Sequence, residues 1–132
     1  MVKYFIIYCL GMTLVLCGCK KSVQQKFVGT WEMVSFDTGA PLYTTFTFYD
    51  GDMMIWTKTD LNDSIISDTA YYYIESRLLK NYLKLSKFEE SGASPNGKWF
   101  IDKIDDKVLQ ITRVEKPDGT APYYRFEFTK KQ

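Results

Sequence analysis

The chain has 132 residues, of which 17 are Lys or Arg and 16 are Asp or Glu, giving a formal net charge of +1. With no Lys/Arg run longer than two, it lacks the positive patch that dominates nucleic-acid binding. It contains three cysteines and no histidine, which excludes Ser-His and Cys-His nucleophiles and Cys/His zinc sites.

The first element is residues 1–18. Lys3 precedes an uncharged apolar run from Tyr4 to Cys17, and Gly18 stands directly before Cys19, the layout of a secretory signal that is removed. The run is shorter than the ~20 apolar residues that cross a bilayer core of roughly 30 Å. Leu16-Cys17-Gly18-Cys19 resembles the lipobox of bacterial lipoproteins. That resemblance implies cleavage before Cys19, a thioether-linked diacylglycerol on its sulfur, and a fatty acyl group such as palmitate on its new amino terminus. Several acyl chains hold a protein firmly where one binds reversibly, so the membrane is an expected partner through lipid on Cys19. By the same resemblance to Gram-negative lipoproteins, Lys20, where Asp would signal retention, implies the outer membrane facing the periplasm, and hence a cell-envelope location. Cys9 and Cys17 then leave with the signal, and no disulfide framework remains. The 114 residues from Cys19 onward suit one domain.

Residues 20–26 (KKSVQQK) read as a polar tether, making 19–26 a lipidated linker and 27–130 the folded domain. Eight strands follow. Phe27 to Phe36 alternates, and Tyr43 to Tyr49 (YTTFTFY) meets the turn Asp50-Gly51, after which Met53 to Thr59 completes a hairpin. Ser67 to Glu75 carries three consecutive tyrosines, and Leu78 to Ser86 alternates. After a Gly/Ser/Pro-rich loop come Lys98 to Ile104, the turn Asp105-Asp106, Val108 to Val114, and, beyond Pro117-Asp118-Gly119, Tyr123 to Lys130. Short strands with hairpin-length turns predict an all-β fold, an eight-stranded antiparallel up-and-down barrel. Closure also removes exposed strand edges.

Gly29-Thr30-Trp31 on the first strand resembles the G-x-W signature of lipocalins. With Phe46-Thr47-Phe48 before Asp50-Gly51, Trp99-Phe100-Ile101, Leu109-Gln110-Ile111 and an aromatic last strand, the chain resembles the lipocalin-like domains of Gram-negative envelope lipoproteins. The resemblance implies that Gly29 relieves crowding while Trp31 plugs the closed end of the barrel. There is no T-D-Y motif, and Arg125 is an imperfect counterpart of the arginine that packs on the lipocalin tryptophan.

An eight-stranded barrel is either filled by its own side chains or holds one small molecule. Taking Trp31 as inward, alternation places Gly29, Met33, Phe46, Phe48, Ile55, Tyr71, Tyr73, Leu83, Leu85, Ile101, Leu109, Ile111, Phe126 and Phe128 inside. A one-residue slip would exchange Ile55 for Trp56, Tyr73 for Tyr72, or Ile101 for Phe100. The first expectation is a monomeric binding protein that takes a small hydrophobic or amphipathic ligand, contacted by Trp31, Phe46, Phe48, Trp56, Tyr71, Tyr73, Trp99 and Phe126. The alternative is a filled barrel that meets a protein or glycan partner through its surface.

Other motifs carry less. Glu89-Glu90 and Asp105-Asp106 stand beside turns, and neighbouring strand carboxylates point apart, so neither forms a glycosidase pair. Asp60 to Ser64 begins like a calcium loop, but Ile65 stands where Gly is needed and Tyr71 where a bidentate Glu is needed. No catalytic set, metal site or cofactor is therefore expected. Asp63-Ser64-Ile65 and Asp68-Thr69-Ala70 resemble the O-glycosylation acceptor motif of one group of Gram-negative anaerobes, making Ser64 and Thr69 candidate acceptors.

Overall fold

The computed structural model describes residues 21–34, 43–59, 62, 64–88, 95–121, 123 and 125–132. The signal segment and Cys19 lie outside them. Eight strands run in chain order: β1 (Gly29–Met33), β2 (Tyr43–Phe48), β3 (Met53–Thr59), β4 (Ile65–Arg77), β5 (Lys80–Ser86), β6 (Gly97–Ile104), β7 (Val108–Glu115) and β8 (Arg125–Lys130). Each pairs antiparallel with the next, and β8 returns to β1 to close the barrel. The predicted all-β antiparallel barrel of eight strands is thus the observed architecture.

Three boundary differences bear on the site. Residues 21–27 are helical, although the sequence reads as tether and strand start there. Val23 and Phe27 are four residues apart, on one helix face, and the barrel supplies apolar surface for both: Val23 packs on the core and Phe27 lies wholly inside it. Leu78 and Leu79 form a turn, not the start of the fifth strand, with φ of 45° and 66°. Finally, β4 is thirteen residues long, starting before and ending after the expected segment.

Register on β3 and β4 is one residue away from the expectation. Met54 and Trp56 point inward in place of Ile55, and Ala70, Tyr72 and Ile74 in place of Tyr71 and Tyr73. The side-chain period of two explains this. The row containing Tyr71 and Tyr73 continues through Glu75 and Arg77, so turning it inward would bury two charges. The row containing Tyr72 carries a half-buried Asp68 and an exposed Ser76 nearer its ends, and between Ala70 and Ile74 it buries one hydroxyl, which donates to the Tyr49 carbonyl at 2.7 Å. Pairing transmits the choice: Met54 is opposite Ala70 on β4 and opposite Phe48 on β2. On β6 the expected row holds, with Trp99 buried and Ile101 packed against the core.

Among the described residues, aromatic rings form a continuous chain of contacts through the interior. Tyr72 meets Phe48 with centroids 4.9 Å apart, Phe48 meets Phe46 at 6.2 Å, and Phe46 meets Phe128 at 4.9 Å. Phe128 meets Phe126 at 6.2 Å, and Phe126 meets Trp99 at 4.9 Å. Pairs of this kind contribute about 0.5–1.5 kcal/mol each beyond the area they bury.

Candidate functional site

Two tryptophans close the barrel by the same local device. Trp31 and Trp99 each stand two residues after a glycine with a positive φ, Gly29 at 127° and Gly97 at 129°. Each indole is fully buried and donates its Nε1–H to the carbonyl four residues earlier: Trp31 to Phe27 at 2.7 Å, Trp99 to Pro95 at 2.8 Å. Each faces a cation directly across the strand pair. Trp31 is opposite Lys130, whose Nζ is 5.0 Å from the ring centroid, and Trp99 is opposite Arg113, whose Cζ is 5.3 Å away.

The glycines make room for this arrangement. A Cβ on Gly29 would lie 2.8 Å from Cε of Lys130, and one on Gly97 would collide with the Glu115 backbone carbonyl. Because β1 and β6 start at opposite ends of an up-and-down barrel, the two devices sit at opposite ends. The resemblance implies a plug at one end only. The repetition Gly29-Thr30-Trp31 and Gly97-Lys98-Trp99 was legible as spacing, since the same three-residue pattern occurs twice. Lys130, not Arg125, covers Trp31; Arg125 instead reaches Gln110 at 2.7 Å.

At the Trp99 end, Asn96 clasps Phe88 through both backbone groups at 3.0 Å. The Arg113 guanidinium donates to the Asn96 carbonyl. Arg113 is buried, which suits a cation held between an indole face and a carbonyl.

Of the eight residues expected to line a ligand cup, Trp31, Phe46, Phe48, Trp56 and Trp99 are buried in the core, and Phe126 packs against it partly buried. Tyr71 and Tyr73 are not among them: they lie on the outer face, 42% and 45% exposed. Ser64 and Thr69 are both exposed, but Thr69 is within β4 and not in a loop. Asp60, Leu61 and Asp63 of the rejected calcium loop lie outside the described residues, as do Glu89 and Glu90. Among the described residues, no group of three or more His, Cys, Asp or Glu side chains could hold a metal ion.

The outer face of β4, β5 and β6 carries the feature that sequence reasoning missed. Here lysines lie over aromatic rings: Lys87 over Tyr71 at 4.7 Å, Lys84 over Tyr73 at 5.5 Å, Lys98 over Tyr82 at 4.4 Å and Lys80 over Phe100 at 6.0 Å. Glu75 sits among them, with Lys98 Nζ at 2.9 Å, Arg77 Nε at 3.5 Å and Lys84 Nζ at 3.7 Å. The hydrogen bond from Lys98, then the nearby charges of Lys84 and Arg77, hold its carboxyl below the usual carboxylate range despite partial desolvation.

Beside this face a cleft of about 470 Å³ opens to solvent, lined by Tyr73, Lys84, Lys87, Lys98, Glu115 and Lys116 among others. Its four lysines outnumber Glu115 and the adjacent Glu75, which pairs with Lys84 and Lys98, so the lining is cationic, and Tyr73 gives it an aromatic wall. A smaller hollow of about 220 Å³ lies beside Met33, Val34 and Phe126. The only sequence signal for the larger cleft was the alternation of Lys with aromatic residues on neighbouring strands, which becomes a surface only once register is known.

Comparison with known proteins finds no matching family model, no matching curated protein and no matching solved structure.

Proposed function

We propose that this chain is a lipid-anchored protein of the bacterial envelope, held in the outer membrane through Cys19, whose lipocalin-like barrel works by its outside. It acts as a monomeric binding protein, not an enzyme, and its ligand is an acidic glycan seated in the cleft beside β4, β5 and β6. The observation that carries this reading is the pairing of an interior packed with aromatic rings and a cationic, aromatic-walled cleft outside. Lysines supply charge to an anionic sugar, and Tyr73 supplies a ring edge and hydroxyl. A ligand inside the barrel would instead have to displace residues such as Phe46, Phe128 or Trp99, each fully buried.

Native mass spectrometry of the protein purified from its own envelope tests this. The expected result is a bound acidic saccharide that is lost from the Lys87→Glu/Lys116→Glu double variant. A small hydrophobic molecule retained equally by both proteins would return the function to the barrel interior.

A further inference from the structure

The β4–β5 hairpin ends in Arg77-Leu78-Leu79-Lys80, with Arg77 paired to Lys80 and the two leucines forming the turn. Both residues are fully exposed, at 97% and 106%, so neither contributes to the core. Both have positive φ, as a two-residue type I′ turn requires, and such turns favour Asn-Gly because a Cβ is strained there. Leucine is therefore wrong for this turn twice over: its backbone is strained and its side chain lies in water. A sequence choice that harms the free protein on both counts points to something outside the fold that takes the leucines up.

The location identifies the occupant. Turns of an up-and-down barrel alternate between ends, so the β2–β3 and β4–β5 turns share the end at which β1 starts and β8 finishes. Helix 21–27 is fixed to that end, where Gln24 donates to the Gly51 carbonyl in the β2–β3 turn and Lys130 Nζ reaches the Lys26 carbonyl at 3.4 Å. Cys19 precedes residue 21 by two residues, a reach of at most about 8 Å. The exposed leucines and helix 21–27, which follows Cys19 in the chain, thus belong to one end of the barrel. The cations on either side of the pair match the usual surface pattern of an apolar tip entering a lipid interface, with aliphatic side chains below and Lys or Arg at headgroup level.

The geometry points to Leu78-Leu79 as a second membrane contact, inserted into the phospholipid leaflet that holds the Cys19 lipid and fixing the barrel's orientation on it. This rests on the lipid-anchor reading for the side of the barrel that faces the bilayer. Two-point attachment would hold the β4–β6 face and its cleft at a set angle to the membrane instead of leaving the barrel to swing on its linker.

The test uses the protein as bacteria process it, carrying a fluorophore on Leu79→Cys or, at the opposite end of the barrel, on Asp118→Cys. Each is reconstituted into vesicles of phosphatidylethanolamine and phosphatidylglycerol containing a chain-labelled quencher lipid. Quenching about threefold or more stronger at position 79 than at 118 is the expected result. Equal quenching at the two positions overturns the proposal, including the case in which the tip meets a protein partner. The mass of the amino-terminal peptide reports acylation separately: an acylated terminus with an unquenched tip removes the second contact and keeps the anchor, whereas a quenched tip on an unacylated chain does the reverse. Leu78→Asn/Leu79→Gly completes the test. It should raise the melting temperature, because Asn-Gly suits the turn; a lowered melting temperature would assign the leucines to the fold and sink the proposal.

Discussion

Lys130 and Trp31 face each other across the β1–β8 pair, with the ammonium 5.0 Å from the indole centroid and the lysine stem filling the space that a Cβ on Gly29 would take. Their contact lies where the barrel closes, so one residue pair joins the first strand to the last. Arg113 and Trp99 repeat the relationship within the β6–β7 hairpin.

Gly29→Ala and Gly97→Ala should differ in cost although both glycines have nearly the same φ. At Gly29 the obstructing atom is the flexible end of a lysine, leaving mainly backbone strain, so a loss of about 1–3 kcal/mol is expected. At Gly97 the obstruction is the Glu115 backbone, which cannot step aside without breaking the β6–β7 pairing. A loss of about 4 kcal/mol or more is expected there. Denaturant unfolding of both variants checks the order, and equal losses would mean that steric room is not what separates the two sites.

Trp31→Ala should cost about 3 to 5 kcal/mol, as for other large aromatic deletions in a packed core. Trp31→Phe keeps much of the ring but removes the donor to the Phe27 carbonyl, and should cost about 1–3 kcal/mol. It should also loosen residues 21–27, where hydrogen exchange would rise. Unchanged exchange in that segment would show that the helix is held by Phe27 packing alone.

Asp105 accepts hydrogen bonds from the Lys107 and Val108 amides at 2.8 Å each, with Lys103 Nζ at 3.2 Å. The two amides first, and Lys103 after them, bring its carboxyl from the ordinary 3.8 to about 2. A carboxylate with a depressed folded pKa stabilises the fold above its unfolded value, and that contribution fades as pH falls through the folded value. Asp105→Ala should therefore lower the melting temperature at pH 7. Its difference from the parent protein should shrink between about pH 4 and pH 2; a difference that stays constant across this window would show that the carboxylate charge is not what holds the β6–β7 turn.

Cys19→Ala should leave an uncleaved, unlipidated precursor. Phase separation in a cloud-point detergent, followed by mass analysis of the product, checks this. A processed product that still enters the detergent phase would remove the lipoprotein reading.

The strand count, the β2–β3 hairpin at Asp50-Gly51, the closed antiparallel order and the burial of Trp31, Phe46 and Phe48 were legible in the sequence, because alternation and turn chemistry are local properties. Met53–Thr59 agrees to the residue as a strand, yet its inward face does not. Which face turns inward is a property of the strand pair, and on β4 it is settled by Glu75 and Arg77, whose charge cannot follow Tyr71 and Tyr73 into the core. The helix at 21–27 was hidden for a related reason: seven residues do not form a helix in water on propensity alone, and only the barrel end provides a surface for Val23 and Phe27.

By itself the sequence determined an all-β chain of eight strands, free of histidine, with Gly29-x-Trp31 at its entry and a lipobox-like segment ahead of it. The tertiary structure alone decided that Tyr71 and Tyr73 face outward, that Lys87 and Lys84 cover their rings, that Trp99 closes the second end, and that Leu78-Leu79 stands at the same end as helix 21–27. Each of these depends on how strands pair and which face they turn inward, and cross-strand register and barrel closure are set by packing of the whole core and not by any single segment.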